Sequence, residues 1–411
     1  MLKKILVQQL KKGMYLHKKN HSLFNHQFVF SGPVTDSNLL ITKFLKHGIK
    51  EIYIDEGKSL ITTPVAKNKE VKIKKEEYIE SKIEEKQDYP QQFKIEVELQ
   101  KAIQIRNEAR KVVTNLMRNI RGGRKIEISA GKNVVKKIVD SVIRNKYALS
   151  SIAAIKQKNE YLFQHAVSCC ALMVSFGITL DYKNDELIDM GIGALMHDIG
   201  KMKIPTQIIN KPSSLTISEF EEMKKHVQYG NEILAQIDYK NNTVFTIMNQ
   251  HHERINGSGY PKKLKGNEIS HLGKMASIVD VYDALISDRG YNKALEPTTA
   301  LSKIFAMSGK LFDEVLVQKF IKSIGIYPFG TLVKLNSGKL ALVVEINSQN
   351  LLTPIVRVFY DINKRSFLTP FNIDLSNSQN KNKDKIINTE LREKWFLKKE
   401  DINKILGINI G

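Results

Sequence analysis

Residues 250–261 read QHHERINGSGYP. Neighbouring side chains on a helix point roughly 100° apart, so His251 and His252 can serve one site only where a helix ends. Gly257, Gly259 and Pro261 mark such an end. Six of the ten histidines lie between 165 and 271: His165, His197, His226, His251, His252 and His271. Asp198 directly follows His197, and Asp280 falls within SIVDVYDAL, an apolar helical pattern in which a carboxylate requires a partner. His271 stands in a polar stretch and reads as a surface residue, and His17, His21, His26 and His47 lack ligand spacing. Five histidines and two aspartates remain. Such a set suits divalent ions such as Mn, Fe, Co, Ni or Zn, with a carboxylate free to bridge two of them.

Three cations stand close to these residues. In MHDIGK, Lys201 lies four residues after His197 and three after Asp198, so on a helix it projects beside them. An ammonium there suits a phosphate oxygen better than a metal. Between Arg144 and Arg357 the chain uses arginine only at Arg254 and Arg289. A guanidinium fork at either position fits a phosphate or a guanine edge, with a salt bridge to a nearby acid as the alternative. Cys169, one turn after His165, reads as core packing, and its neighbour Cys170 makes a disulfide framework implausible and a reducing compartment the better fit.

The elements that must position these residues are helical. Residues 150–325 read as helices broken by Pro205, Pro212, the GSGYP stretch and Pro297. Before them, 1–62 reads as a small α+β domain, 63–95 as a charged linker or exposed helix, and 96–149 as a helical connector. After Pro328 the chain turns β-branched, so 326–375 reads as a β-rich extension with a turn at Asn336-Ser337-Gly338, and 376–411 as a polar tail with a short helix. The fold class is therefore mainly α, with small β-containing flanks. The most apolar stretch, CCALMVSFGITL, is shorter than a membrane span and reads as a core helix, and the N-terminus carries no signal-peptide pattern, so no transmembrane segment and a cytoplasmic location are expected. The net charge is +21, yet basic and acidic residues number 31 and 16 in 1–150, 20 and 19 in 151–325, and 13 and 8 in 326–411. The histidine-bearing region is thus nearly neutral, which disfavours nucleic acid as a partner.

His165, HDIGK at 197–201, His226, HHERINGSGYP at 251–261 and DVYDALISDRGY at 280–291 together resemble the HD-GYP family of metal-dependent phosphohydrolases, a branch of the HD superfamily. Residues 1–62 resemble the small domain often placed ahead of such modules in bacterial signalling proteins. The resemblance implies a helical HD bundle with two divalent ions, Mn or Fe foremost, and hydrolysis of cyclic di-GMP to pGpG or on to GMP. It implies that His165, His197, Asp198 and Asp280 hold one ion, and Asp198, His226, His251 and His252 the other. A hydroxide bridging the ions would attack phosphorus. Asp198 and Lys201 become the catalytic pair, and Lys201, Arg254, Gly259, Tyr260, Pro261 and Arg289 the substrate contacts. Glu253 and Asp283 become residues that orient the site, Asp283 as the partner of a metal ligand or of Lys201, with a backbone N–H or salt-bridge role open for Glu253.

Some positions depart from the family pattern. Tyr161 stands where some members have a glutamate for a third metal, with Glu160 one residue off, so two ions are expected. Ile286, Gly290 and Asn292 replace residues common in the DALTSDRPYR stretch. Choice among cyclic dinucleotides is accordingly open, as are hydrolysis of another nucleotide, a non-catalytic nucleotide-binding scaffold, protein partners of the N-terminal region and homo-oligomerisation.

Overall fold

The computed structural model describes residues 2–11, 13–16, 32–34, 37–46, 51–55, 95–124, 127–145, 161–287, 294–347, 349–377 and 384–407. The chain forms two compact units, Met1–Glu85 and Lys86–Gly411. In the first, strands β1 (Leu2–Leu6), β2 (Tyr15–Leu16), β3 (Gly32–Pro33) and β4 (Glu51–Asp55) pair in the order β1-β4-β2-β3 beside helix α1 (Ser37–Lys46). EIYID alternates as a half-buried strand should, with Ile52 and Ile54 in the core beside Leu16, Val34 and Phe44. Residues 28–31 of the FVFSG stretch, and 63–94 of the charged segment, lie outside the described residues.

The second unit is built around α4 (Tyr161–Thr179). It is packed by α2 (Ile95–Arg121), α3 (Ile128–Arg144), α5 (Asn184–Met196), α10 (His271–Leu285) and α12 (Glu314–Ile324). A helix surrounded in this way must be apolar on every side. Leu162–Thr179 is accordingly long and apolar enough to cross a membrane, a greater length than the sequence stretch suggested. In the fold it is mostly buried among the other helices. Phe320 of α12 meets Phe176 of α4 and Tyr282 of α10 edge to face, at 5.3 and 5.2 Å between ring centroids.

α2 and α3 share this core through Leu99, Ala102, Val113, Val135 and Ile138. The buried Glu98 carboxylate closes the pair by accepting from Ser141 Oγ at 2.8 Å and from Arg144 Nε and Nη2 at 2.9 and 2.8 Å. Between α5 and α10 run a 3-10 turn (Ile199–Lys203), the short α6 (Thr206–Ile209), α7 (Ile217–Lys224), α8 (His226–Gln236) and α9 (Asn242–Gln250), and α11 (Pro297–Ala306) precedes α12.

A five-stranded antiparallel sheet follows, β5 (Leu332–Leu335), β6 (Lys339–Glu345), β7 (Ile355–Asp361), β8 (Ser366–Asp374) and β9 (Ile386–Thr389), in the order β8-β7-β6-β5-β9. The expected turn at 336–338 joins β5 to β6. The segment read as a polar tail supplies an edge strand, β9, before ending in α13 (Lys399–Leu406). Its apolar signal is weak because an edge strand leaves Ile387 facing solvent.

Candidate metal centre

Helix ends deliver three of the five histidines. His197 caps α5, His251 caps α9, and His226 opens α8 directly after α7. The last carbonyls of a helix lack partners within it, and these rings use that. His197 Nδ1 lies 2.7 Å from Ala194 O, His226 Nδ1 2.7 Å from Met223 O, and His251 Nδ1 2.8 Å from Met248 O. A carbonyl only accepts, so each Nδ1 carries the hydrogen and each Nε2 turns a lone pair inward. His165, on α4, is fixed differently: its Nδ1 donates to Asp283 Oδ2 at 2.6 Å, with Asp283 fully buried on α10. Asp283 thus orients His165, one of the two roles expected of it.

The inward atoms divide around Asp198. Its Oδ2 lies 3.6 Å from His165 Nε2 and 3.3 Å from His197 Nε2, and its Oδ1 lies 3.4 Å from His226 Nε2 and 3.8 Å from His251 Nε2. Asp280 also reaches both groups, with Oδ1 3.2 Å from His165 Nε2 and Oδ2 3.4 Å from His252 Nδ1. His252 follows the end of α9, and its ring centroid stands 4.0 Å from that of His251. One candidate ligand atom from each of Asp198, His226, His251 and His252 falls within 4.8 Å of the others. The paired histidines therefore converge at a helix end, as their adjacency required.

These residues fit a divalent ion. Atoms each about 2.1 Å from one metal stand roughly 3.0 to 3.4 Å apart. His197 Nε2 and His165 Nε2 are 3.2 Å apart, and His226 Nε2 and His251 Nε2 are 3.4 Å apart. In each pair two lone pairs face each other, a repulsive arrangement that a cation between them reverses. Asp198 Oδ1 is buried without a hydrogen-bond partner among the described residues. A buried, unpaired carboxylate oxygen costs free energy unless a positive charge meets it.

Electrostatics sort the groups further. Burial opposes ionisation of Asp198, but Lys201 and the histidines outweigh it and hold the carboxyl well below the usual range. Lys201 Nζ, on the 3-10 turn, lies 2.5 Å from Asp198 Oδ2. Burial also opposes the charge on Asp280, which His165 and His252 overcome. Burial and neighbouring histidines push His251 and His252 well below the ordinary histidine value, and burial brings His226 down to about 4. For His197 burial acts in the same sense, yet Asp198 and Asp280 prevail and raise it. Three of the rings are thus held as neutral acceptors.

The loop after His252 is folded back on the ligand-bearing segment. A Cβ at Gly259 would stand 2.5 Å from Arg254 N and from Glu253 Cα, so only glycine permits this crossing. Glu253 accepts from Lys262 N at 2.8 Å and Leu264 N at 3.0 Å, which gives it the backbone role left open by the sequence. Tyr260, joined to Pro261 by a cis peptide bond, lays its ring 4.5 Å from that of His252. Arg254 donates to the carbonyls of His251 and Glu253 at 3.1 and 2.8 Å and stacks on Phe312, so part of its guanidinium braces the turn. Arg289, Gly290 and Asn292 lie outside the described residues, whereas Ile286 caps α10. Cys169 Sγ comes within 3.6 Å of His165 Nδ1. His271 is exposed and paired with the Tyr182 hydroxyl at 2.9 Å.

Two contributors had no clear sequence signal. Gln250, immediately before the paired histidines, accepts from Ser270 N and Oγ at 2.9 and 2.7 Å and so ties the start of α10 to the end of α9. Phe220 of α7, which buries no residue, meets the Tyr260 ring edge to face at 6.2 Å. Gly200 lies in a motif already singled out, but its reason is steric: a Cβ there would collide with the backbone of His226 and Gly230.

Imidazoles turned inward from successive helix ends, around a carboxylate adjacent to one of them in sequence, make the arrangement of an HD-type metal-dependent phosphohydrolase. A family profile described as an HD domain matches residues 150–316, and one described as a domain of unknown function, DUF3391, matches residues 2–130. The chain is 32% identical to cyclic di-GMP phosphodiesterase PA4108 of Pseudomonas aeruginosa, over 98% of this chain and 95% of that one. It is 38% identical to a cyclic di-GMP phosphodiesterase of Thermotoga maritima, over 33% of this chain and 37% of that one, and 37% identical to 3'3'-cGAMP-specific phosphodiesterase 2 of Vibrio cholerae, over 31% of this chain and 24% of that one. The chain belongs to the HD-GYP family of metal-dependent phosphohydrolases.

Proposed function

We propose that this chain hydrolyses cyclic di-GMP, releasing pGpG or GMP, with two divalent transition-metal ions, Mn or Fe, held by His165, His197, Asp198 and Asp280 on one side and Asp198, His226, His251 and His252 on the other. The observation that carries the reading is Asp198: it faces two inward-turned histidine pairs with different oxygens, one of which lacks a hydrogen-bond partner among the described residues. Such ions, when bound, supply Lewis acidity toward the phosphoryl oxygens and lower the pKa of an attacking water.

The protein's own groups do the remainder. The Nδ1 anchors aim His197, His226 and His251 at one place, and burial keeps His226 and His251 as neutral acceptors. Lys201, beside the shared carboxylate, meets a phosphoryl oxygen as negative charge gathers in the transition state. Tyr260, lying on His252, offers a ring face to a guanine, Gly259 and Pro261 set its position, and Arg254 and Arg289 contribute cationic contacts to the dinucleotide. Similarity to a 3'3'-cGAMP-specific enzyme favours a second reading of the same chemistry with a mixed cyclic dinucleotide.

Full-length protein loaded with Mn or Fe should convert cyclic di-GMP with a kcat/KM above that for 3'3'-cGAMP and for linear pGpG, as measured by chromatography of the products. Preference for 3'3'-cGAMP would replace the first reading with the second, and no turnover of either dinucleotide would overturn both.

A further inference from the structure

An amphipathic helix ordinarily turns its apolar stripe toward the core, and α7 does not. Ile217 and Phe220, one turn apart, are 85% and 44% exposed, and the helix buries none of its residues. Lys224 follows one turn further on, so the three share a face. Polar contacts hold the helix in place instead. Thr216 and Glu219 form a capping box, Lys211 Nζ lies 2.5 Å from Glu219 Oε2, and Glu222 accepts from Lys225 Nζ at 2.6 Å and from the Tyr229 hydroxyl at 3.1 Å. The end of the stripe borders the metal centre. Phe220 meets the Tyr260 ring edge to face at 6.2 Å, and Lys224 Nζ stands 4.8 Å from the Phe220 centroid and 5.8 Å from that of Tyr260. Tyr260 in turn lies 4.5 Å from the His252 ring and 6.3 Å from the His226 ring. The carboxylate beside Lys224, Glu221 at 2.6 Å, is mostly exposed, and a surface pair of this kind is weak enough to exchange for a phosphate.

We propose that Phe220 and Lys224 form a recognition subsite for the half of the cyclic dinucleotide that is not being cleaved: the Phe220 ring takes its purine base and the Lys224 ammonium its phosphate. The inference rests on the proposed function and extends it to contacts outside the paired-histidine loop. With one phosphodiester at the metal centre, the macrocycle carries a second purine and a second phosphate one nucleoside away. Past Tyr260 that half meets an exposed aromatic ring and a cation side by side. Stacking for the base and charge for the phosphate are the two means by which a protein holds a nucleotide without reading its base edge. A simple phosphodiester lacks the second half, so the subsite separates substrates that the metal chemistry alone treats alike.

The test compares two substrates on the full chain loaded with Mn: the better of cyclic di-GMP and 3'3'-cGAMP, and bis(p-nitrophenyl) phosphate, a diester with no second nucleotide. Phe220→Ala should lower the ratio of kcat/KM for the first to that for the second by about tenfold, the scale of losing one stacked base, with the loss in KM. Phe220→Trp should recover the ratio. Lys224→Gln should lower it about fivefold, the scale of one hydrogen bond to a charged group, and Lys224→Arg should stay close to wild type. Bound Mn, read by elemental analysis, should match wild type in all four. Should Phe220→Ala fail to fold, Lys224→Gln carries the same comparison. An unchanged ratio in either truncated variant, or an equal loss on both substrates, would overturn the inference and leave α7 as a support for Tyr260. A wild-type chain that cleaves bis(p-nitrophenyl) phosphate but neither cyclic dinucleotide would overturn the proposed function as well, whereas wild-type turnover of a cyclic dinucleotide with indifferent variants would overturn this inference alone.

Discussion

The two halves of the histidine cluster are built from different materials. On one side His165 leaves the middle of a buried helix and is held by a carboxylate, Asp283. On the other His226 and His251 stand at helix ends and are held by backbone carbonyls, beside a loop that brings Tyr260 against His252. The first half depends in part on a side chain, Asp283, that a substitution can remove, although its second ring, His197, keeps a backbone anchor at a helix end. The second depends on where helices stop, which a side-chain substitution hardly touches. A centre made this way has one half tunable through charge and one half set by chain geometry.

Loss of the shared residue should erase the difference. Asp198→Asn is expected to lower kcat on the order of 10³-fold or more, the scale of removing a central electrostatic contact, and to reduce bound metal in both halves, as read by elemental analysis. Asp283→Asn should bring the difference out: affinity for one ion falls by about 10- to 100-fold while the other is retained, visible as two separated steps in a chelator titration. Equal weakening of both ions would contradict the division. Gly259→Ala acts on the loop of the second half. The added carbon meets backbone rather than a yielding side chain, so Tyr260 is displaced and KM should rise about tenfold with metal content unchanged.

Acid should act most gently, and on the second half first. His226 takes up a proton in the folded chain only near 4, against 6.5 for a free histidine, and His251 and His252 are lowered too. Between those values the unfolded chain binds more protons, so stability falls as pH falls. His197, raised in the folded state, works in the opposite sense but is one ring against three. The Tm of the metal-free protein should therefore drop between pH 7 and pH 5. A flat or rising Tm would mean that these rings are not held neutral.

Much of the centre was legible because its ligands sit in short local motifs: His197 beside Asp198, and His251 beside His252 before a glycine-rich turn. The adjacency of the pair even foretold a helix end. What could not be read is whatever depends on contact between distant segments. Glu253 has two backbone donors as partners, which leave no trace in residue type. Asp280, which the family resemblance places on one ion, has one oxygen near His165 and the other near His252. β9 hides among lysines and asparagines because half of an edge strand faces water, and the apolar length of α4 exceeds its most hydrophobic stretch because the flanking Gln164 and His165 are polar but buried.

The contact at Gly200 has a consequence for how the protein tolerates different ions. The turn carrying Lys201 rests with its backbone against the His226 carbonyl and Gly230 amide, with no side chain between them to compress or repack. The gap between the segment of His197 and the helix of His226 is therefore a fixed gauge. A larger or smaller ion can be accommodated only by tilting rings about their Nδ1 anchors, so substituting one transition metal for another should change reactivity while leaving the helices where they are.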